Sequence, residues 1–289
     1  MARSSLHAAV LAWYSLSARD LPWRRPDTSA WAVLVSEVML QQTPVARVEP
    51  VYADWLRRWP TPAALAGEPA GEAVRAWGRL GYPRRALQLH AAAVEMVARH
   101  GGRVPATYDD LLALPGVGTY TAAAVMSFAY AGRHAVLDTN VRRVLARVVG
   151  GTAQPGPAVT AEERRRAEQL LPDDPATAAR WGVALMELGA LVCTARSPRC
   201  SSCPVREACG WRQAGAPAYA GRTRRPQSFI GTDRAVRGML LAVLREAPEP
   251  VGRADLDAVW PDATQRERAL AGLRADGLVV RDGQRYRLP

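Results

Sequence analysis

Four cysteines, Cys193, Cys200, Cys203 and Cys209, are the only ones in a chain of 289 residues, and they sit together in one short segment. Clustered thiols of this kind argue against a disulfide framework and for a metal centre. Four thiolates in the pattern Cys-x6-Cys-x2-Cys-x5-Cys can hold one [4Fe–4S] cluster or a single zinc. Zinc ribbons more often show two Cys-x2-Cys knuckles, and here only one pair is that close. Ser197, Pro198, Arg199 and Arg206 lie in the same segment, so its loop would present basic groups outward.

The rest of the composition limits the partners. Hydrophobic residues make up 48%, enough for a substantial core. The longest weakly polar stretch, 121–131, is far short of the roughly 20 residues a membrane span needs. The first residues lack the charged-then-apolar pattern of a signal peptide. A cytoplasmic protein without membrane contact is expected, bacterial and associated with the nucleoid. Net charge is +11, and a basic surface of this size favours a polyanion such as nucleic acid. All 38 basic side chains are arginine. No side-chain amine is therefore present to form a Schiff base with a sugar aldehyde.

Apolar periodicity is helical through the first 210 residues, and no run alternates like a strand. It predicts helices over 5–16, 30–42, 45–59, 70–80, 84–100, 108–114, 120–130, 140–148, 161–171 and 176–190, with Pro and Gly between them. The fold class expected is all-α. A Gly-, Pro- and Arg-rich linker is expected over 213–230. Beyond it, helices over 232–246, 253–259 and 264–276 and a hairpin over 278–288, turning at Asp282-Gly283, suggest a small winged-helix-like domain, 231–289. A docking or purely structural role suits that tail as well as DNA binding does.

Two motifs carry chemistry. Leu114-Pro115-Gly116-Val117-Gly118 separates two apolar helical stretches. Glycines two apart allow a tight turn whose N–H groups face outward at a helix start, a geometry suited to a DNA phosphate. The second is a pair of carboxylates. Glu37 lies on an otherwise apolar helix, where desolvation can keep an acid protonated as a proton donor. A buried partner for an arginine is its other reading. Asp138 follows an apolar run and precedes a helix, where a plain helix cap is the ordinary role.

Taken together, Glu37, Gln41-Gln42-Thr43, Leu80-Gly81-Tyr82, the glycine hairpin ending in Tyr120, Leu137-Asp138-x-Asn140-Val141 and the cysteine spacing resemble the adenine DNA glycosylases of the endonuclease III helix-hairpin-helix superfamily. The resemblance covers about residues 10–210. It implies a two-lobed helix-hairpin-helix fold: an iron–sulfur lobe of 1–24 and 136–212, and a six-helix module of 25–135. It implies a [4Fe–4S] cluster on the four cysteines. It implies a monomer acting on double-stranded DNA with adenine opposite 8-oxoguanine or guanine. Glu37 would protonate the base, Asp138 would stabilise the sugar cation, and Tyr120 and Asn140 would orient them. Gln42 and Tyr82 would wedge the duplex, Gly116, Val117 and Gly118 would hold its backbone, and Trp23 and Arg24 would line the base pocket.

Lyase members of the superfamily carry Lys where this chain has Tyr120, so base removal without strand cleavage is expected. Val183 departs from the family, which often has Gln or Glu there to read adenine. The tail is also too short for the family's usual lesion-sensing C-terminal domain. Two rivals stand beside this reading: a thymine or other mismatch glycosylase on the same scaffold, and an iron–sulfur DNA-binding regulator using the tail.

Overall fold

The computed structural model describes residues 3–219, 221 and 229–289. Part of the expected linker, 213–230, lies outside the described residues. Along the chain run α1 (Arg3–Ser17), α2 (Ala30–Leu40), α3 (Val45–Arg58), α4 (Pro62–Ala66), α5 (Ala70–Trp77), α6 (Arg84–Arg99), α7 (Tyr108–Ala113), α8 (Thr119–Tyr130), α9 (Thr139–Val148), α10 (Ala161–Gln169), α11 (Pro175–Leu191) and α12 (Gly210–Gln213). The tail adds α13 (Asp233–Glu246), α14 (Arg253–Asp257), α15 (Ala263–Ala275) and strands β1 (Val280–Asp282) and β2 (Arg285–Arg287). The expected all-α character and the order of the tail elements are both found. The short α4 and α12 were not anticipated, because a single turn shows no periodicity.

Helix starts follow the capping rules. Asp138, Thr160, Asp174, Thr232 and Asp262 each accept a backbone N–H from three residues on, satisfying a donor the helix leaves unpaired. The expected helix over 30–42 stops at Leu40 instead. Pro44 disfavours helical backbone just before it, and Gln42 adopts a positive φ of 56°.

The chain divides into two compact units. One comprises Met1–Leu34, Ala106–Leu112 and Val117–Arg222. Its core sets Leu6 and Val10 of α1 against Trp181, Leu185 and Leu188 of α11 and Val141, Val144 and Val148 of α9. These positions recur at helical spacing, which places them on one buried stripe of each helix. Cys193 and Cys209 belong to the same core.

The other unit comprises Val35–Pro105, Ala113–Gly116 and Thr223–Pro289. Trp55, Trp59 and Trp77 are fully buried there. Trp55 meets Trp59 and Trp77 edge-on at centroid distances of 4.7 and 5.7 Å. Truncating such an aromatic costs about 3–5 kcal/mol. In the tail, β1 and β2 pair antiparallel with Asp282 opposite Arg285, so the two-residue turn is Gly283-Gln284, one position later than expected. Val251 adds an isolated bridge to Tyr286.

The tail is fastened to α5. Gly71 N donates to the main-chain oxygen of Pro289 at 2.7 Å. Arg75 donates to the carbonyls of Leu244, Arg245 and Ala247, which α13 leaves unpaired at its end. Arg245 returns a bond to the carbonyl of Val74 at 3.1 Å. A Cβ on Gly71 would overlap the Pro289 oxygen and touch Leu288. Gly71→Val is therefore expected to cost about 1–3 kcal/mol, as overpacking does, read as a lower midpoint in thermal unfolding.

Candidate active site and cluster segment

The Asp138 carboxylate is held from two sides. It accepts the backbone N–H of Val141 at 2.6 Å and the side-chain amide of Asn140 at 2.8 Å. Asn140 in turn accepts from Arg143 at 2.7 Å. Arg143 also donates to the carbonyls of Cys193 and Gly189, each at 2.7 Å. A chain of bonds thus runs from Asp138 to the first cysteine. α9 and α11 come close enough for it only because residue 189 is Gly: a Cβ there would lie 2.6 Å from Asn140 Cβ. Burial pushes the Asp138 carboxyl above the ordinary aspartate range, and the Val141 and Asn140 bonds and Arg143 act against that. The ordinary capping role is real at Asp138. The Asn140–Arg143 brace goes beyond it.

The four thiols are unbonded to one another and line one cavity with Val144, Leu188, Arg147, Arg206 and Trp211. Burial pushes Cys193 up and Cys203 to about 11, so as bare thiols they would stay protonated. A bound cationic centre reverses that preference by taking thiolates. Arg147 donates to Cys193 Sγ at 3.3 Å and to the carbonyl of Thr194 at 2.7 Å, and stacks over Trp211. Among the described residues, no three His, Cys, Asp or Glu side chains are placed to hold a single metal ion. Four sulfurs around a shared cavity suit a cluster, whose ligands stand further apart than those of one zinc. The residues present therefore fit an iron–sulfur group.

Glu37 is buried on α2, 6% exposed, on a helix where Val38 and Met39 are buried too. Tyr120 packs against the small core of Ala123, Ala124 and Val136, with Tyr108, Phe128 and Met186. Trp23 is buried in the single turn Pro22–Arg24. Arg24 stands 2.9 Å from Glu187, which is fully buried and also takes a two-armed bond from Arg19 at 2.7 Å per arm. Val183 lies one turn before Glu187 on α11 and is half-buried. At the hairpin, Gly116 has φ 75°, and Gly118 starts α8 without a side-chain cap, leaving its first N–H groups available.

Gln42 and Tyr82 form one tip. Both have left-handed backbone, φ 56° and 49°, which is costly for residues other than Gly. Tyr82 is half exposed and its hydroxyl donates to Gln42 Oε1 at 2.8 Å. Arg85, buried beneath, donates to the carbonyls of Val38, Met39, Gln41 and Gly81 and to the hydroxyl of Thr43. One guanidinium thus ties the end of α2 to the turn before α6.

The sequence of residues 35–169 matches the family described as HhH-GPD superfamily base excision DNA repair protein, and residues 193–209 match the iron-sulfur binding domain of endonuclease III. The chain is 54% identical over 283 residues to the adenine DNA glycosylase of Mycobacterium tuberculosis, covering 97% of this chain and 92% of that one. It is 55% identical over 271 residues to the enzyme of the same name from Mycolicibacterium smegmatis, covering 93% and 91%. The chain belongs to the adenine DNA glycosylase family. Its fold is also that of a thermostable thymine-DNA glycosylase, with TM-score 0.66, 28% identity, and coverage of 73% and 97%. An endonuclease III–DNA complex gives TM-score 0.62 at 21% identity, covering 75% and 100%. The chain carries a [4Fe–4S] cluster, as the family does. An alignment over 97% of the chain includes the tail, so its short C-terminal segment is shared with the mycobacterial members of the family.

Four buried groups escaped sequence reasoning. Arg143 and Arg147 were legible in principle, since Asn140, Arg143 and Arg147 recur at helical spacing on one face. Glu187 sits in an apolar run much as Glu37 does. Arg85 left no signal, because its partners are main-chain carbonyls. Arg85→Met strands several of these acceptors at about 1–3 kcal/mol for each that stays dry. A loss of about 3 kcal/mol in chemical denaturation is expected, and Arg85→Lys should not restore it, because an ammonium lacks the planar fork.

Proposed function

We propose that this chain hydrolyses the N-glycosidic bond of adenine mispaired with 8-oxoguanine or guanine and leaves the strand uncut. The observation that carries the substrate is identity above one half, over nearly the full length, to adenine DNA glycosylases. Thymine-DNA glycosylases are more distant, at 35% and 28%. A thymine specificity on the same scaffold therefore ranks second, and a DNA-binding regulator leaves the braced carboxylate without a purpose.

The chemistry assigned to each residue follows from its setting. The target base must leave the stack, which costs a few kcal/mol. Gln42 and Tyr82, projecting on a strained and braced turn, enter the duplex and replace it. Gly116, Val117 and Gly118 present backbone N–H groups to a phosphate, and Trp23 and Arg24 border the pocket for the base. Glu37, buried on α2, donates a proton to the adenine ring and improves the leaving group. As the bond breaks, the sugar gains oxocarbenium character. Asp138, ionised, faces that charge as the second carboxylate of a retaining glycosidase does, and Asn140 aims it. Water completes the hydrolysis. Tyr120 offers a phenol where a Schiff base would need an amine. The cluster, held by Cys193, Cys200, Cys203 and Cys209, stiffens the segment from which Arg143 takes its carbonyl. The protein acts as a monomer in the bacterial cytoplasm.

Two experiments test this. Duplexes holding one A:8-oxoguanine, A:G or T:G pair should release adenine from the first two, with strand breaks only after alkali. Release of thymine alone would sink the assignment. Asp138→Asn should abolish release while sparing DNA binding, because Asn caps a helix as well as Asp does.

The pH profile offers a separate check. The active form needs Asp138 ionised, and burial raises its pKa. Activity is therefore lost as pH falls through a value above the ordinary aspartate range. Asn140 stabilises the charged form, so Asn140→Ala should move that acid limb to higher pH in single-turnover assays. A limb that stays in place would remove Asn140 from the site.

A further inference from the structure

We propose that the tail is a second DNA-contacting element, with Arg274, Arg281 and Arg285 gripping duplex phosphates that flank the tip formed by Gln42 and Tyr82. The inference rests on the reading of that tip as the part that enters DNA.

Three observations lead there. First, the tail is fixed rather than merely tethered: Gly71, Arg75 and Val74 of α5 bind Pro289, the end of α13 and Arg245. Second, the fixing point lies beside the tip. Arg84, two residues after Tyr82, pairs with Asp276 just past α15 at 3.3 Å, and Gly277 approaches Leu87. Arg79, exposed just before the Leu80-Gly81-Tyr82 turn, is near enough to Arg245 to add to the effect of burial on its guanidinium. Two exposed arginines, Arg79 and Arg84, thus flank the tip in the chain, and both lie near the tail.

Third, the tail's own charges are sorted. Asp233 pairs with Arg268, Asp257 with Arg253 and Arg266, Asp276 with Arg237 and Arg84, and Asp282 with Arg287. Among the described tail residues, Arg274, Arg281 and Arg285 are exposed and have no carboxylate partner. They lie on the last turn of α15 and on the hairpin, one continuous stretch of chain that begins beside Asp276. Exposed guanidinium groups without counter-charges, held rigidly next to a duplex-entering tip, match a phosphate backbone, which every sequence presents alike.

The test uses the full chain carrying Arg274→Glu, Arg281→Glu and Arg285→Glu together. Its affinity for an A:8-oxoguanine duplex and for a matched duplex is measured across a range of salt. Each lost phosphate contact lowers the slope of log affinity against log salt by about 0.9. A slope smaller by roughly 2 to 3 and an affinity roughly tenfold lower or worse at low salt are expected, equal on both duplexes. The single-turnover rate at saturating enzyme should not change. The corresponding Arg→Gln triple, with its melting curve, guards against misfolding and should give the same direction. Unchanged affinity and slope in a folded triple variant would overturn the proposal, and would be the result if this face served a protein partner. Tyr82→Ala, measured alongside, keeps the two readings apart: it should lose the preference for the mispair and keep the salt slope. If it loses nothing, the tip reading falls, while the salt slope of the triple variant still reports on the tail.

Discussion

Buried guanidinium groups brace candidate site residues within each of the two units. In one unit Arg143 joins Asn140, Gly189 and Cys193. In the other Arg85 joins the end of α2 to the turn before α6. The partners of both are chiefly main-chain carbonyl oxygens near helix ends. A planar group with five donors can satisfy several such acceptors at fixed angles, which a lysine cannot. The chain's exclusive use of arginine is therefore more than a bias of composition. Burial does depress these groups, Arg85 to about 10, yet that leaves it charged near neutrality. The desolvation cost is offset because nearly every donor finds an oxygen.

These braces let the backbone stay where it would not otherwise rest. Left-handed conformations at Gln42 and Tyr82 cost of order 1–3 kcal/mol each. They persist because the carbonyls on both sides are claimed by one buried side chain. The strain places a half-exposed tyrosine and a glutamine side by side, bonded to each other, before any ligand arrives. Pre-ordering of this kind lowers the entropy lost on binding. The Asp138 carboxylate is treated similarly. Its raised pKa reflects removal from water, and the two bonds that hold it keep the charged form accessible.

Much of this was legible in the residues, for identifiable reasons. Long helices announced themselves by apolar periodicity, and the cap at Asp138 by its place between an apolar run and a helix. The cysteine spacing and the glycine hairpin are local motifs, and local motifs survive without knowledge of the fold. What was hidden depends on distant main-chain atoms. The end of α2 at Leu40 rather than Gln42 follows from Arg85, more than forty residues away in the chain, and from Pro44. The second role of Asp138 required Arg143 to find Cys193 O and Gly189 O. Glu187 was hidden by its partners, Arg19 and Arg24, which lie at the other end of the chain.

That last group bears on how a base is recognised. Arg24 is committed to a fully buried carboxylate, and Val183, one turn away on the same helix, offers no hydrogen bond. On the proposed reading, a base pocket bordered by Trp23 and Val183 would select by shape and stacking more than by edge bonds, and apolar contacts separate similar ligands by only about 1–3 kcal/mol. Such a pocket needs help from elsewhere to act on mispaired adenine and spare paired adenine. That help would come from the cost of opening the duplex, which is lower at a mispair, and from the contacts proposed at the tip and beside it. On that reading, selectivity is shared between a modest pocket and the unit that carries Gln42 and Tyr82, to which the tail is bolted by Gly71, Arg75 and Arg84.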